Sequence, residues 1–148
     1  MNSKQGLLGL VVLGAMAWAN ANTCEANVSA NDSMQFNVRE IVVPATCQNF
    51  TVHFKHSGKM PKTAMGHNFV VTKTSDLTEV IRDGMRAGMR QDFVKADDAR
   101  VLAKTRMLGG GESQSVQLNV AKLKAAPHTY VCTFPGHSGV MRGKITVK

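Results

Sequence analysis

The stretch Gln48–His56, QNFTVHFKH, alternates more regularly than any other part of the chain. Phe50, Val52 and Phe54 fall on one parity, and Thr51, His53 and Lys55 on the other. A period of two places successive side chains on opposite faces, which suits a strand with one face in a core and one in water. Shorter runs of the same kind lie on either side. They are the segment from Cys24, MQFNV (34–38), EIVVPA (40–45, broken by Pro44), HNFVVTK (67–73), ARVLAKTRML (99–108), SQSVQLNV (113–120), HTYVCTF (128–134) and GKITVK (143–148). About eight short strands punctuated by turn residues predict an all-β, eight-stranded Greek-key β-sandwich.

One insertion breaks the rhythm. SDLTEVIRDGMRAGMR (75–90) carries Ile81, Met85 and Met89 at helical spacing, with Arg82, Arg86 and Arg90 on a neighbouring line. Ser75, Asp76 and Glu79 read as a capping box. Gly84 and Gly88 each weaken a helix by about 1 kcal/mol against Ala. One short helix is expected here, its arginines forming a solvated face.

Residues 1–21 read as a cleaved signal peptide: Lys4, an apolar run from Gly6 to Trp18, and Ala19-Asn20-Ala21 before the cut. The apolar run is too short to span a bilayer, which takes roughly 20 residues, and no membrane anchor is expected. Residues 22–148 are expected to form a single exported domain. The formal charge is +8, and +7 without Lys4, which favours acidic partners. Nucleic acid is a poor fit, because the basic residues are not interleaved with stacking aromatics.

Three cysteines in an oxidising compartment leave one unpaired. Cys24 and Cys47 both fall early, near strand ends, and read as a disulfide. Cys132 lies far away, beside His137 and Met141 in CTFPGHSGVM (132–141). Thiolate, imidazole and thioether in one loop suit copper, and a second histidine would complete the set of two His, one Cys and a weak Met found in blue-copper sites. His67, after Gly66 and before a strand, is the strongest candidate.

The loop CTFPGHSGVM resembles the copper loop of azurins, and NDSMQFN, FTVHFKHSGKMPKTAMGHN, ADDARVLAKTRMLGGGE and VAKLK are similar to azurin segments as well. The resemblance implies a periplasmic cupredoxin that shuttles single electrons through one copper ion, Cu(I)/Cu(II). It implies His67, Cys132 and His137 as equatorial ligands, Met141 as a distant axial ligand and the Gly66 carbonyl on the opposite side. The N–H groups of Asn68 and Phe134 would bond to the Cys132 sulfur, and Cys24–Cys47 would match the family disulfide. His137, near the surface, would be the electron exit, ringed by Met34, Met60, Met65, Met85 and Phe134. The implied partners are redox proteins such as c-type cytochromes and nitrite reductase-like enzymes, met by a monomer that is not itself an enzyme. Two departures stand out: Phe69 where many azurins have Trp, and a segment before Cys132 that is one residue short.

The other histidines have plainer readings. His56 shares the inward parity of Phe54 and is expected half-buried at the core edge. His53 and His128 are expected at the surface. A thiol hydrolase using Cys132 and His137 fits poorly, because such enzymes bring the histidine from elsewhere in the fold. Zinc storage would leave Met141 without a purpose.

Overall fold

In a computed structural model, residues 23–148 are described, so the signal-peptide reading of 1–21 lies outside them. Numbered in chain order, the strands are β1 (Glu25–Asn31), β2 (Gln35–Phe36), β3 (Glu40–Val43), β4 (Asn49–His56), β5 (Val70–Lys73), β6 (Val101–Lys104), β7 (Ser113–Asn119), β8 (His128–Val131) and β9 (Arg142–Val147). They form two sheets, of order β2-β1-β4-β7 and β3-β9-β8-β5-β6. β1 runs parallel to β4, and β3 parallel to β9, while the remaining pairs are antiparallel. Parallel neighbours cannot be joined by a hairpin. The chain therefore crosses between sheets, as the expected β-sandwich requires.

Among the described residues there are nine strands, one in each of the nine runs picked out in the sequence, against the expected eight. The shortest is the two-residue β2, all that remains of the predicted strand 34–38. Met34 sits at φ 55, in the left-handed region, so the chain turns there and only Gln35 and Phe36 pair with β1.

The alternation in 48–56 is realised directly. Phe50, Val52, Phe54 and His56 face inward, and all four are buried. Phe54 meets Phe69 and Phe36, and Tyr130 stacks on Phe69 at 5.1 Å between ring centroids. Burying each such side chain contributes about 1.5–3 kcal/mol. Phe69 lies wholly within this aromatic cluster. At one end of the sandwich Cys24 and Cys47 form a disulfide. Its closed loop stabilises the fold by about 3 kcal/mol on the chain-entropy account.

Helical structure exceeds the single helix expected. α1 (Lys62–Met65) and α3 (Val120–Lys124) are single turns, and α2 (Leu77–Ala87) is the insertion's helix, flanked by 3₁₀ turns at Thr74–Asp76 and Met89–Gln91. α2 buries Leu77, Val80 and Gly84 rather than the predicted stripe, and Met85 is 46% exposed. Leu77 and Val80 join Val70, Val94 and Val131 in a second small core. Gly84 fixes that orientation, because a Cβ there would lie 2.1 Å from the Phe93 carbonyl oxygen. The capping box does not form: Asp76 is the N-cap without a side-chain bond, and Glu79 pairs with Arg82 instead. Gly88, at φ 71, ends the helix.

Candidate metal centre

At one end of the sandwich two segments meet. One is Gly66–Phe69, which leads into β5, and the other is the loop from Cys132 to Met141, which joins β8 to β9. The loop is pinned at its base, where the Cys132 N–H donates to the Met141 carbonyl (3.0 Å). Within it, the Met141 and Val140 N–H groups donate to the His137 carbonyl (2.8 and 3.1 Å). Asn68 clamps the loop to the other segment: its Nδ2 donates to Thr133 Oγ1 (2.7 Å) and to the Asp92 carbonyl (2.9 Å), and its Oδ1 accepts from the Thr133 N–H (2.8 Å).

This framework brings His67, Cys132 and His137 together. One ligand atom from each lies within 4.8 Å of the others, and all three residues are buried. Cys132 Sγ is 3.8 Å from His67 Nδ1 and 3.7 Å from His137 Nδ1. The Gly66 carbonyl oxygen is 3.9 Å from the same sulfur. Position 66 admits only glycine, since a Cβ would sit 2.4 Å from the Lys62 carbonyl oxygen and 2.8 Å from Met107 Cγ. Met141 is fully buried at the loop's far end.

The donor set and its spacing fit a soft metal ion. Metal–ligand lengths of about 2.0–2.1 Å to imidazole nitrogen and about 2.3 Å to thiolate sulfur, at about 120°, place N and S about 3.8 Å apart. That is the observed spacing. Two imidazoles and a thiol, with no carboxylate among them, suit copper.

The protonation of the two histidines is arranged to match. His67 Nε2–H donates to the Asn31 carbonyl (2.8 Å), which leaves the Nδ1 lone pair directed at the cluster. Burial pushes the His67 pKa down to about 4, against the opposing Asn31 bond, so the ring is neutral at physiological pH. Burial lowers His137 as well. It raises the Cys132 thiol to about 11, while backbone N–H groups of Asn68 and Phe134 pull the other way by favouring the thiolate.

The remaining histidines are structural. His56 is fully buried rather than half-buried. Its Nε2 donates to the Met65 carbonyl (2.7 Å), its Nδ1 accepts from the Gly58 N–H (3.1 Å), and it stacks on His67 at 4.5 Å. Both ring nitrogens are occupied, which leaves none for a metal. His128 is also buried, against the expectation of exposure, because register pairs it with Ile145 and Lys73 inside the sheet. His53 lies on the outer face as expected, between Ser115 and Glu25.

Of the five residues expected to ring His137, Phe134 lies against it with ring centroids 4.5 Å apart and planes tilted by 36°. Met34, Met60 and Met85 are exposed, and Met65 and Phe134 are half-buried. His137 itself is only 3% exposed, so it reaches solvent by little more than an edge. Sequence reasoning passed over Val140, 58% exposed beside this ring, and three supports of the site: Asn31, Thr133 and Asp92. Asn31 and Asp92 act through backbone carbonyls, which any residue type possesses, so composition carries no signal for them.

Comparison with known proteins agrees with this geometry. Residues 22–148 match the family model of copper binding proteins, plastocyanin/azurin family. Azurin-2 of Alcaligenes xylosoxydans xylosoxydans is 54% identical over 123 residues, covering 82% of this chain and 95% of its own. The azurin of Bordetella pertussis is 46% identical over 144 residues, covering 96% of each. A solved structure of the azurin Az-iso2 from the obligate methylotroph Methylomonas sp. strain J superposes with a TM-score of 0.81 at 44% identity, covering 86% of this chain and 99% of that one. The chain belongs to the plastocyanin/azurin family of copper-binding proteins, on its azurin side.

Proposed function

We propose that this chain is a periplasmic blue-copper protein that carries single electrons between redox proteins. The observation that carries the reading is the buried cluster of His67 Nδ1, Cys132 Sγ and His137 Nδ1, whose mutual spacing suits one metal ion. These three atoms would hold the ion, with the Met141 thioether and the Gly66 carbonyl as the further donors the site could offer. Bound there, copper supplies a one-electron Cu(I)/Cu(II) couple. The protein's own residues do the rest. The Asn68 clamp and the Asn31 bond hold the donors in place whatever the charge at the centre, which keeps rearrangement on electron transfer small. The N–H groups of Asn68 and Phe134 stabilise negative charge on sulfur and so tune the potential. The apolar ring of Met34, Met60, Met65, Met85 and Phe134 excludes water and docks a partner against the His137 edge.

Residues 1–21 are the export signal and 22–148 the mature domain, a monomer. The Cys24–Cys47 disulfide suits an oxidising compartment. Among redox partners, c-type cytochromes and nitrite reductase-like enzymes fit the chemistry. An enzymatic role for Cys132 is disfavoured: the residue is wholly buried and its thiol is pushed up to about 11, so it offers neither access nor a free thiolate. The test is a Cys132→Ser variant loaded with Cu(II). The reading requires the intense thiolate-to-copper charge-transfer colour of the parent protein to vanish; a variant that stays strongly coloured refutes the ligand set.

A further inference from the structure

The chain has seven arginines, and the ion pairs sort them. Arg82, Arg86, Arg100 and Arg106 each meet a carboxylate within 4.0 Å, so the insertion's arginine line is largely neutralised by Glu79 and Asp83. Among the described residues Arg39, Arg90 and Arg142 form no ion pair. Two of these three converge. Arg39, just before β3, and Arg142, the first residue of β9, line one groove of about 310 Å³ together with Met34, Phe36 and Val140. Both arginines are exposed. The acidic residues nearest in the chain are committed elsewhere: Asp32 accepts from the Lys59 N–H, and Glu40 from Thr146 Oγ1 with Lys144 beside it. The groove opens next to the metal loop, because Val140 donates to the His137 carbonyl and Arg142 directly follows Met141.

We infer that the Arg39–Arg142 groove is a carboxylate-binding subsite that seats an Asp or Glu side chain of an acidic redox partner. The inference rests on the electron-carrier reading above and adds to it where the partner is gripped and by what. Charge complementarity selects the occupant. Two unpaired guanidiniums favour planar carboxylates, which accept paired N–H bonds. Exposed Met34 and Val140 on the groove wall accommodate the methylenes that carry the carboxylate. A second copy of this chain is a poor occupant, since its net charge is also strongly positive. The effect is to fix orientation: an apolar ring alone permits rotation about the His137 axis, and an off-centre charge pair sets the register.

The test uses copper-loaded protein, reduced, and measures one-electron transfer to an oxidised c-type cytochrome of net negative charge at low ionic strength. The Arg39→Gln/Arg142→Gln variant should slow by about tenfold and lose most of its salt dependence. A Lys122→Gln/Lys148→Gln control removes the same charge near the opposite end of β9 and should slow by no more than about threefold. Oxidation by the small cation tris(phenanthroline)cobalt(III) should not slow in either variant. Equal slowing in the two variants would reduce the groove to a share of net charge and overturn the inference, as would no slowing in the arginine variant. A parent protein that fails to pass electrons even to the cobalt complex defeats the electron-carrier reading instead, and the retained blue colour of each variant verifies folding.

Discussion

The loop from Cys132 to Met141 and the insertion from Thr74 to Arg100 are both departures from regular strands, yet they are specified in different ways. The loop carries its meaning in side-chain chemistry: a thiol, an imidazole and a thioether at fixed intervals, each buried. The insertion carries its meaning in contacts that cross its length. Gly84 lies against Phe93, and Arg100 bridges Asp83 and Asp98 at 2.7 and 2.6 Å. The first kind of information is local and can be read in sequence order. The second exists only once the chain has folded. The two regions meet where Phe93 of the insertion packs edge-on against Phe134 of the loop at 5.7 Å, and Asn68 links them by donating to the Asp92 carbonyl on one side and to Thr133 Oγ1 on the other.

That junction gives the largest expected effect. Asn68→Ala removes three hydrogen bonds and leaves the buried Thr133 N–H without its partner. Chemical denaturation of the metal-free protein should show a loss of about 3 kcal/mol, and the copper-loaded form should show a displaced charge-transfer band. An unchanged band would mean that the loop holds its donors without the clamp.

Gly84→Ala tests whether the insertion matters to the site at all. The new Cβ meets the Phe93 carbonyl oxygen, and relieving that contact should cost about 1–3 kcal/mol in denaturation. The band position should stay fixed, because Asn68 keeps both bonds to Thr133. A shifted band would show that the insertion tunes the metal through Asp92.

Smaller, present at neutral pH and fading in acid, is the effect of Arg100→Gln. Hydrogen bonds from Arg100 are the first cause holding Asp83 and Asp98 below the ordinary 3.8. Groups depressed in the folded state contribute stability above the unfolded value and lose it as pH falls through 3.8 toward the folded one. Melting temperature against pH should therefore fall less steeply below about pH 4 in the variant than in the parent, from a lower starting point at neutral pH. Parallel curves would contradict the assignment.

The smallest change is expected from Arg82→Ala. Its pair with Glu79 is exposed and Asp83 keeps Arg100 as a partner, so the melting midpoint should barely move. A larger loss would give the arginine line a structural role that its exposure does not suggest.

The same division explains what could be read in advance. The period-two run at 48–56 located its strand within a residue, because burial on one face is written into alternation. The Cys24–Cys47 disulfide followed from an odd count of cysteines and from position. The strand predicted at 34–38 shrank to two residues because Met34 turns the backbone, and nothing in a methionine signals a positive φ. The helical stripe was placed on Ile81, Met85 and Met89; Ile81 packs at the edge of the second core, but the buried side runs through Leu77, Val80 and Gly84. A glycine has no hydropathy to mark a buried face, so the pattern was rotated from the true one. At the candidate metal centre the clustered His67, Cys132 and His137 were legible, while Asn31 and Asp92 were not, since they support it through backbone carbonyls.

The measurement closest to the central claim is a titration of the mature, metal-free protein with Cu(II), followed by visible absorption and repeated after saturation with Zn(II). One site built from His67, Cys132, His137 and Met141 predicts an intense charge-transfer band that grows linearly and stops at one equivalent, and a zinc-loaded protein that gains the same band only as copper displaces one equivalent of zinc. A protein that binds one copper without that band, or that gains the band while keeping its zinc, contradicts the account.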